Sequence, residues 1–92
     1  MTRSELIAKI APKFPNLTIK DIENIVNVIF DRLTSALAEG DRIEIRGFGA
    51  FTTRTRHARV ALNPKNREKV SVPEKRVVHF KTGKELHDRL NS

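Results

Sequence analysis

The chain has 92 residues, no cysteine, five aromatic residues that are all phenylalanine, and a net charge of +7 with a pI near 10.4. That length allows one small domain with a modest core, and the missing cysteine excludes disulfides and thiolate metal sites. No apolar run approaches a membrane span or a signal-peptide core, which predicts a cytosolic protein.

The charge is uneven. Residues 1–40 carry five basic and five acidic residues, whereas residues 41–92 carry thirteen and six. A neutral half joined to a basic half predicts packing in the first and polyanion binding in the second.

Thr2-Arg3-Ser4-Glu5 fits a capping box, and Leu6, Ile7, Ile10, Ala11 and Phe14 follow at helical spacing. Pro15 is expected to end this helix at about Lys13. Thr18, with Asp21 three residues on, caps a second helix of about 20 residues. Ile22, Ile25, Val26, Ile29, Leu33, Ala36 and Leu37 form its apolar stripe, and Gly40 stands where a C′ glycine belongs. Val28 and Phe30 lie off the stripe centre, which points to burial on a second side, as at a dimer contact.

Arg42 to Arg46 alternates strictly and reads as a strand with Ile43 and Ile45 inward. Gly47-Phe48-Gly49 is expected to turn, Ala50 to about Arg59 to form a second strand, and Lys69 to about Phe80 a third, with Pro73 as a break or bulge. Thr82-Gly83-Lys84-Glu85 starts a short last helix carrying Leu86 and Leu90. Phe14, Phe48, Phe51 and Phe80 fit core positions.

Between Arg54 and Arg76 stand eight basic residues against Glu68 and Glu74, which is +6 of the chain's +7. Strand-favouring residues flank Asn63-Pro64-Lys65-Asn66, a turn with proline at the position whose φ it pre-sets. Few large apolar residues line this segment, so it reads as a protruding basic β-ribbon mounted on the rest of the chain.

The element order, with Arg46-Gly47-Phe48-Gly49-Ala50-Phe51, Asn63-Pro64-Lys65 and His79-Phe80-Lys81-x-Gly83-Lys84-x-Leu86, resembles the bacterial HU and integration host factor family over essentially the whole chain. Ile43-Glu44-Ile45-Arg46 is most similar to the beta-subunit branch of integration host factor. The resemblance implies an α+β fold: two N-terminal helices, a three-stranded antiparallel sheet with a long β-ribbon arm, and a short C-terminal helix, in an intertwined dimer. Residues 1–40 would be the helical dimerisation half, 41–81 the sheet and DNA-binding arm, and 82–92 the C-terminal helix. The function implied is architectural: a homodimer, or a heterodimer with a related subunit, that embraces duplex DNA through its minor groove and bends it in the nucleoid.

The resemblance carries over residue by residue. Pro64 would wedge between base steps, flanked by Asn63 and Lys65. Glu44 would orient Arg46, which senses groove width and edge pattern. Further DNA contacts would come from Arg3, Ser4, Arg42, Arg54, Arg56, Arg59, Lys75, Lys81 and Lys84, and helix N-termini near Thr2, Thr18 and Thr82 would offer N–H groups to phosphates. The arm tip departs from the family pattern. Where the family reads Gly-Arg-Asn-Pro, this chain has Ala61-Leu62-Asn63-Pro64, and Arg67 replaces a glycine three residues after the proline. Asn66 is expected to supply the left-handed conformation such a turn needs.

Other classes fit less well. His57, His79 and His87 lack ligand-like spacing, and Asp21 and Glu23 point different ways on a helix, so no enzyme, metal site, cofactor or small-molecule substrate is expected. An RNA-binding module would display aromatics for stacking. An anionic membrane would call for a basic amphipathic helix, which is missing. The closest alternative is an HU-like homodimer that binds DNA without sequence preference.

Overall fold

A computed structural model describes residues 1–92. In chain order it contains α1 (Arg3–Ile10), a 3-10 turn (Ala11–Lys13), α2 (Ile19–Ala38), β1 (Ile43–Ile45), β2 (Gly49–Arg56), β3 (Arg59–Leu62), β4 (Lys69–Val72), β5 (Lys75–Thr82) and α3 (Lys84–Leu90). The class is α+β, as predicted, and the chain forms two compact units, residues 1–35 and 36–92. No helix is long and apolar enough to cross a membrane.

In the first unit both helices start as their caps dictate. The Glu5 N–H donates to Thr2 Oγ at 3.2 Å. At α2 the capping box is complete: Asp21 N–H donates to Thr18 Oγ at 3.0 Å and Thr18 N–H to an Asp21 carboxylate oxygen at 3.1 Å. The first helix is shorter than expected. Pro12 lacks an N–H and its ring clashes with the carbonyl four residues back, so the α-helix stops at Ile10 and tightens into the 3-10 turn.

Ile7, Ile22 and Val26 are the buried core, with Ile10, Ala11 and Phe30 packed against it. The rest of the α2 stripe is less covered than its spacing implies. Ile25 and Ile29 remain 50% and 51% exposed, and Val28, off the stripe, 62%. Phe14, expected in the core, is 49% exposed.

The second unit opens with the end of α2. Asp41 N–H donates to the Ala36 carbonyl at 2.9 Å and Gly40 N–H to Leu37 at 3.0 Å, with Gly40 at φ +86°. This is a Schellman motif, and it needs a residue free to adopt positive φ. Arg76 Nη1 reaches back from β5 to donate to the Ala38 carbonyl at 3.1 Å, so another carbonyl left without a helical partner is satisfied by a cation.

β1, β2 and β5 form an antiparallel sheet in the order β1-β2-β5. The turn between β1 and β2 lies one residue earlier than predicted. Phe48 N–H donates to the Ile45 carbonyl at 3.0 Å and Gly47 takes φ +81°, so Arg46 belongs to the turn and not to the strand. Gly49 begins β2 instead. It is buried, and a Cβ there would stand 2.5 Å from the Lys81 carbonyl oxygen and from the Phe80 ring. Phe51 pairs directly with Phe80, their centroids 4.6 Å apart, and Phe48 stacks on Phe80 from 5.3 Å. Phe48 and Ile45, expected inward, are 44% and 39% exposed.

The ribbon is two ladders, not one. β2 and β5 pair as far as Arg56 with Lys75; β3 and β4 resume at Arg59 with Val72. Two residues on each leg, His57-Ala58 and Pro73-Glu74, are unpaired. Pro73 cannot donate to a ladder, and it interrupts the opposite leg as well as its own. The register carries through unchanged, so Pro73 makes a break and not a bulge. At the far end Thr82 completes β5 opposite Gly49, and α3 follows from Gly83.

Candidate nucleic-acid interface

Side chains directly opposite each other in an antiparallel pair share a face, and alternate residues along a strand share it too. Glu44 pairs with Ala50 and Ala50 with Lys81, so the three stand in one row across the sheet. Arg42 and Lys81 join Glu44 and Arg46 around a concavity of about 600 Å³ floored by Gly47, Gly49 and Ala50. Further out the same face carries Thr52 with His79, Arg54 with Val77, and Arg56 with Lys75. The opposite face carries Ile43, Phe51, Phe80 and Arg76.

A line of cations thus leaves the sheet along one side of the ribbon. Its members have no carboxylate partner: the chain's one close ion pair is His87 with Asp88 in α3, at 3.7 Å. Like charges held together without counterions favour a polyanion, whose binding releases that polyanion's own condensed cations. Around the break, Arg56, Arg59 and Lys75 line a second concavity of about 560 Å³ with His57, Val72 and Pro73. Arg59 pairs with Val72 and has the alternation of the other face.

The tip is a four-residue loop, Pro64 to Arg67, closed by Asn63 and Glu68. Asn63 N–H donates to the Glu68 carbonyl at 2.8 Å and Arg67 N–H to the Asn63 carbonyl at 2.7 Å. Asn63 Oδ1 accepts from the Lys65 N–H and Asn66 Oδ1 from the Glu68 N–H, each at 3.0 Å. These side chains lock the loop from within. The left-handed residue is Arg67, at φ +57°, and not Asn66 as expected. For a residue with a Cβ that conformation costs about 1–2 kcal/mol.

Arg3 and Ser4 sit in the first unit, where they line an apolar concavity of about 450 Å³ with Ile7, Ala8, Ile19 and Asn27. Arg3 is already engaged: it donates to Asn27 Oδ1 at 3.0 Å and its guanidinium lies 5.1 Å over the Phe30 ring. Ser4 Oγ is 3.0 Å from Thr2 Oγ. The cap bonds of Thr2 and Thr18 occupy donors that the sequence left open for phosphates. Lys84 is the exposed first residue of α3. No three His, Asp or Glu side chains gather at metal-binding range.

Two residues of this surface lie outside the expected set of DNA contacts. His79 joins the basic face because it lies opposite Thr52, which strand alternation alone could have shown. Arg67 was missed because the loop's left-handed position depends on which residues close it.

An antiparallel sheet that extends a cationic two-legged ribbon to a proline tip defines a protein built to hold a nucleic acid duplex. The chain belongs to the bacterial DNA-binding protein family, whose model matches residues 1–91. It is 57% identical over 91 residues to integration host factor subunit beta of Azoarcus sp. (strain BH72), covering 99% of this chain and 97% of that one. Among solved structures it is similar to HU of Anabaena in a cocrystal with DNA, with a TM-score of 0.84 and 32% identity over 98% of this chain and 97% of that one. It is also similar to HU from Thermotoga maritima, with a TM-score of 0.64 and 28% identity over 98% of each chain. The chain is an architectural DNA-binding protein of the HU and integration host factor kind.

Proposed function

We propose that the protein works as a dimer whose two ribbons enclose duplex DNA in its minor groove and bend it, each Pro64 entering a base step. Proteins of this family are standing examples of such minor-groove wedging. The observation that carries the reading is the unpaired cation line that runs from Arg42, Arg46 and Lys81 through Arg54, Arg56 and Lys75 toward the tip of Asn63, Pro64 and Lys65. A leg of roughly 10 residues reaches about 33 Å, enough to curve around a duplex. Arg59 and Lys84 would add phosphate contacts. Arg3 and Ser4 would do so only at the edge of the first unit, since the Arg3 guanidinium already holds Asn27 and Phe30.

Dimerisation is supported by what the single chain leaves uncovered. Only three large apolar side chains are buried, Ile7, Ile22 and Val26, while Ile25, Val28 and Ile29 on α2, and Phe14 and Phe48, stay at least 44% exposed. So small a core does not sustain a chain of this size alone. Residues 1–40 supply the dimer contact, the sheet and arm the DNA contact, and the segment from 82 the closing helix. The partner is a second copy or a related subunit, and likeness to an integration host factor beta subunit favours the related subunit. Sequence preference would arise at Glu44 and Arg46, which share one concavity. The protein would act in the cytoplasm on the nucleoid, in DNA packaging, recombination, replication and transcription control.

End-to-end fluorescence transfer on a short labelled duplex tests this. Transfer should rise sharply on binding and fall back with Pro64→Ala. Unchanged transfer at saturation would refute the bending reading. Sedimentation of a folded monomer at micromolar concentration would refute the dimer.

A further inference from the structure

We propose that Arg67 is the phosphate anchor of the arm tip, seated on the DNA backbone beside the step that Pro64 enters. This rests on the DNA-bending reading above. The four-residue loop requires a left-handed residue at its last position, because the Asn63 carbonyl takes the Arg67 N–H while the Asn63 N–H reaches Glu68. Glycine would meet that requirement without strain. The chain places arginine there, its only non-glycine residue at positive φ.

The loop's hydrogen bonds hold the backbone in place, but no contact of the Arg67 side chain offsets the strain. The Arg67 side chain makes no hydrogen bond, no ion pair and no stacking contact; the neighbouring Glu68 does not pair with it, and Arg67 is exposed. The asparagines at the tip act differently, since both Asn63 and Asn66 spend their side-chain oxygens closing the loop. Strain that persists without an internal partner marks a site whose partner comes from outside. The planar fork of arginine, exposed at the end of a cationic ribbon, suits a phosphate oxygen pair. Leu62, on the other side of Pro64, brings no charge to this end, and the loop's remaining cation is Lys65.

The test uses the native dimer and its binding duplex, with the salt dependence of affinity and the bend measured together. Arg67→Gly removes the guanidinium and the strain at once, so the arm should stay folded. The slope of log K against log salt should fall by about 0.9 for each arm that carries the change. The affinity gap between wild type and variant should narrow about 3.5-fold per arm between 50 and 200 mM salt. Arg67→Lys should keep the wild-type slope. Arg89→Gln in α3, which costs the same charge away from the ribbon, should leave the slope unchanged. An equal slope for wild type and Arg67→Gly overturns the assignment, as does an equal drop with Arg89→Gln. A wild-type protein that binds steeply with salt but does not bend the duplex overturns the bending reading instead and leaves the slope comparison to decide Arg67.

Discussion

Lys75 and Arg76 are adjacent cations on β5, and the fold gives them separate work. Lys75 pairs with Arg56 on the cationic face, whereas Arg76 points the other way and donates to the Ala38 carbonyl at 3.1 Å. A charged donor on the last turn of a helix contributes about 0.3–1 kcal/mol through the helix dipole, and its hydrogen bond adds a similar amount where the side chain is exposed. Arg76→Ala should therefore lower unfolding stability by about 1 kcal/mol, which moves the thermal midpoint by roughly 4–8 °C in a domain of this size. Its DNA-binding salt slope should not change. Lys75→Ala should do the reverse: a stability change within about 0.5 kcal/mol, as for an exposed surface position, and a slope lower by about 0.9 per arm. Thermal unfolding at fixed protein concentration and a salt titration of affinity give both readouts. If Arg76→Ala lowers the slope as much as Lys75→Ala, or if it leaves the midpoint in place, the assignment of faces is wrong.

Gly49→Ala should destabilise by about 1–3 kcal/mol or more, because its Cβ meets the backbone at Lys81 and the Phe80 ring; urea unfolding would show it, and an unchanged midpoint would mean β2 and β5 can part freely. Arg46→Ala should lower discrimination between good and poor sites by about 1–3 kcal/mol while leaving non-specific affinity nearly intact, which competition binding on two duplexes measures. Leu62→Arg places a cation directly opposite Lys69, so the free arm should lose roughly 0.2–1 kcal/mol while the salt slope steepens by about 0.9 per arm. A bend angle that drops with that substitution would assign Leu62 to the wedge, and an unchanged angle would exclude it.

The elements that declare themselves in the sequence are those fixed by neighbours along the chain. The α2 stripe, the Thr18–Asp21 box and the glycine after the helix are local patterns, and each is found where it was expected. Pro12 is equally local, and it, not Pro15, ends the α-helix. The break at His57-Ala58 could not be read from its own leg, because its cause is Pro73 on the other. Arg67 became the left-handed residue through the pairing of Asn63 with Glu68, which is a fact of register and not of residue type. The exposure of Ile25, Ile29, Ile45 and Phe48 was hidden for another reason: periodicity says that a face is apolar, and says nothing about which chain covers it. Of the expected contacts, Arg42, Glu44, Arg46 and Lys81 do meet around one concavity, while Arg3, though exposed, is held by Asn27 and Phe30.

The break in the ribbon also limits how this arm can change length over time. Its gaps are matched, two residues on each leg, so the distal hairpin keeps the parity of the proximal one. Losing one residue from a single gap would shift one leg against the other and mispair every rung beyond. Losing one from each gap would restore the rungs but turn the outer hairpin over, carrying Leu62 and Lys69 to the side now held by Ala61 and Val70. Only gains or losses of two residues per leg keep both the rungs and their outlook. Arms of this design therefore lengthen and shorten in quantised steps, and the spacing between sheet and tip is a discrete variable on which selection can act only four residues at a time.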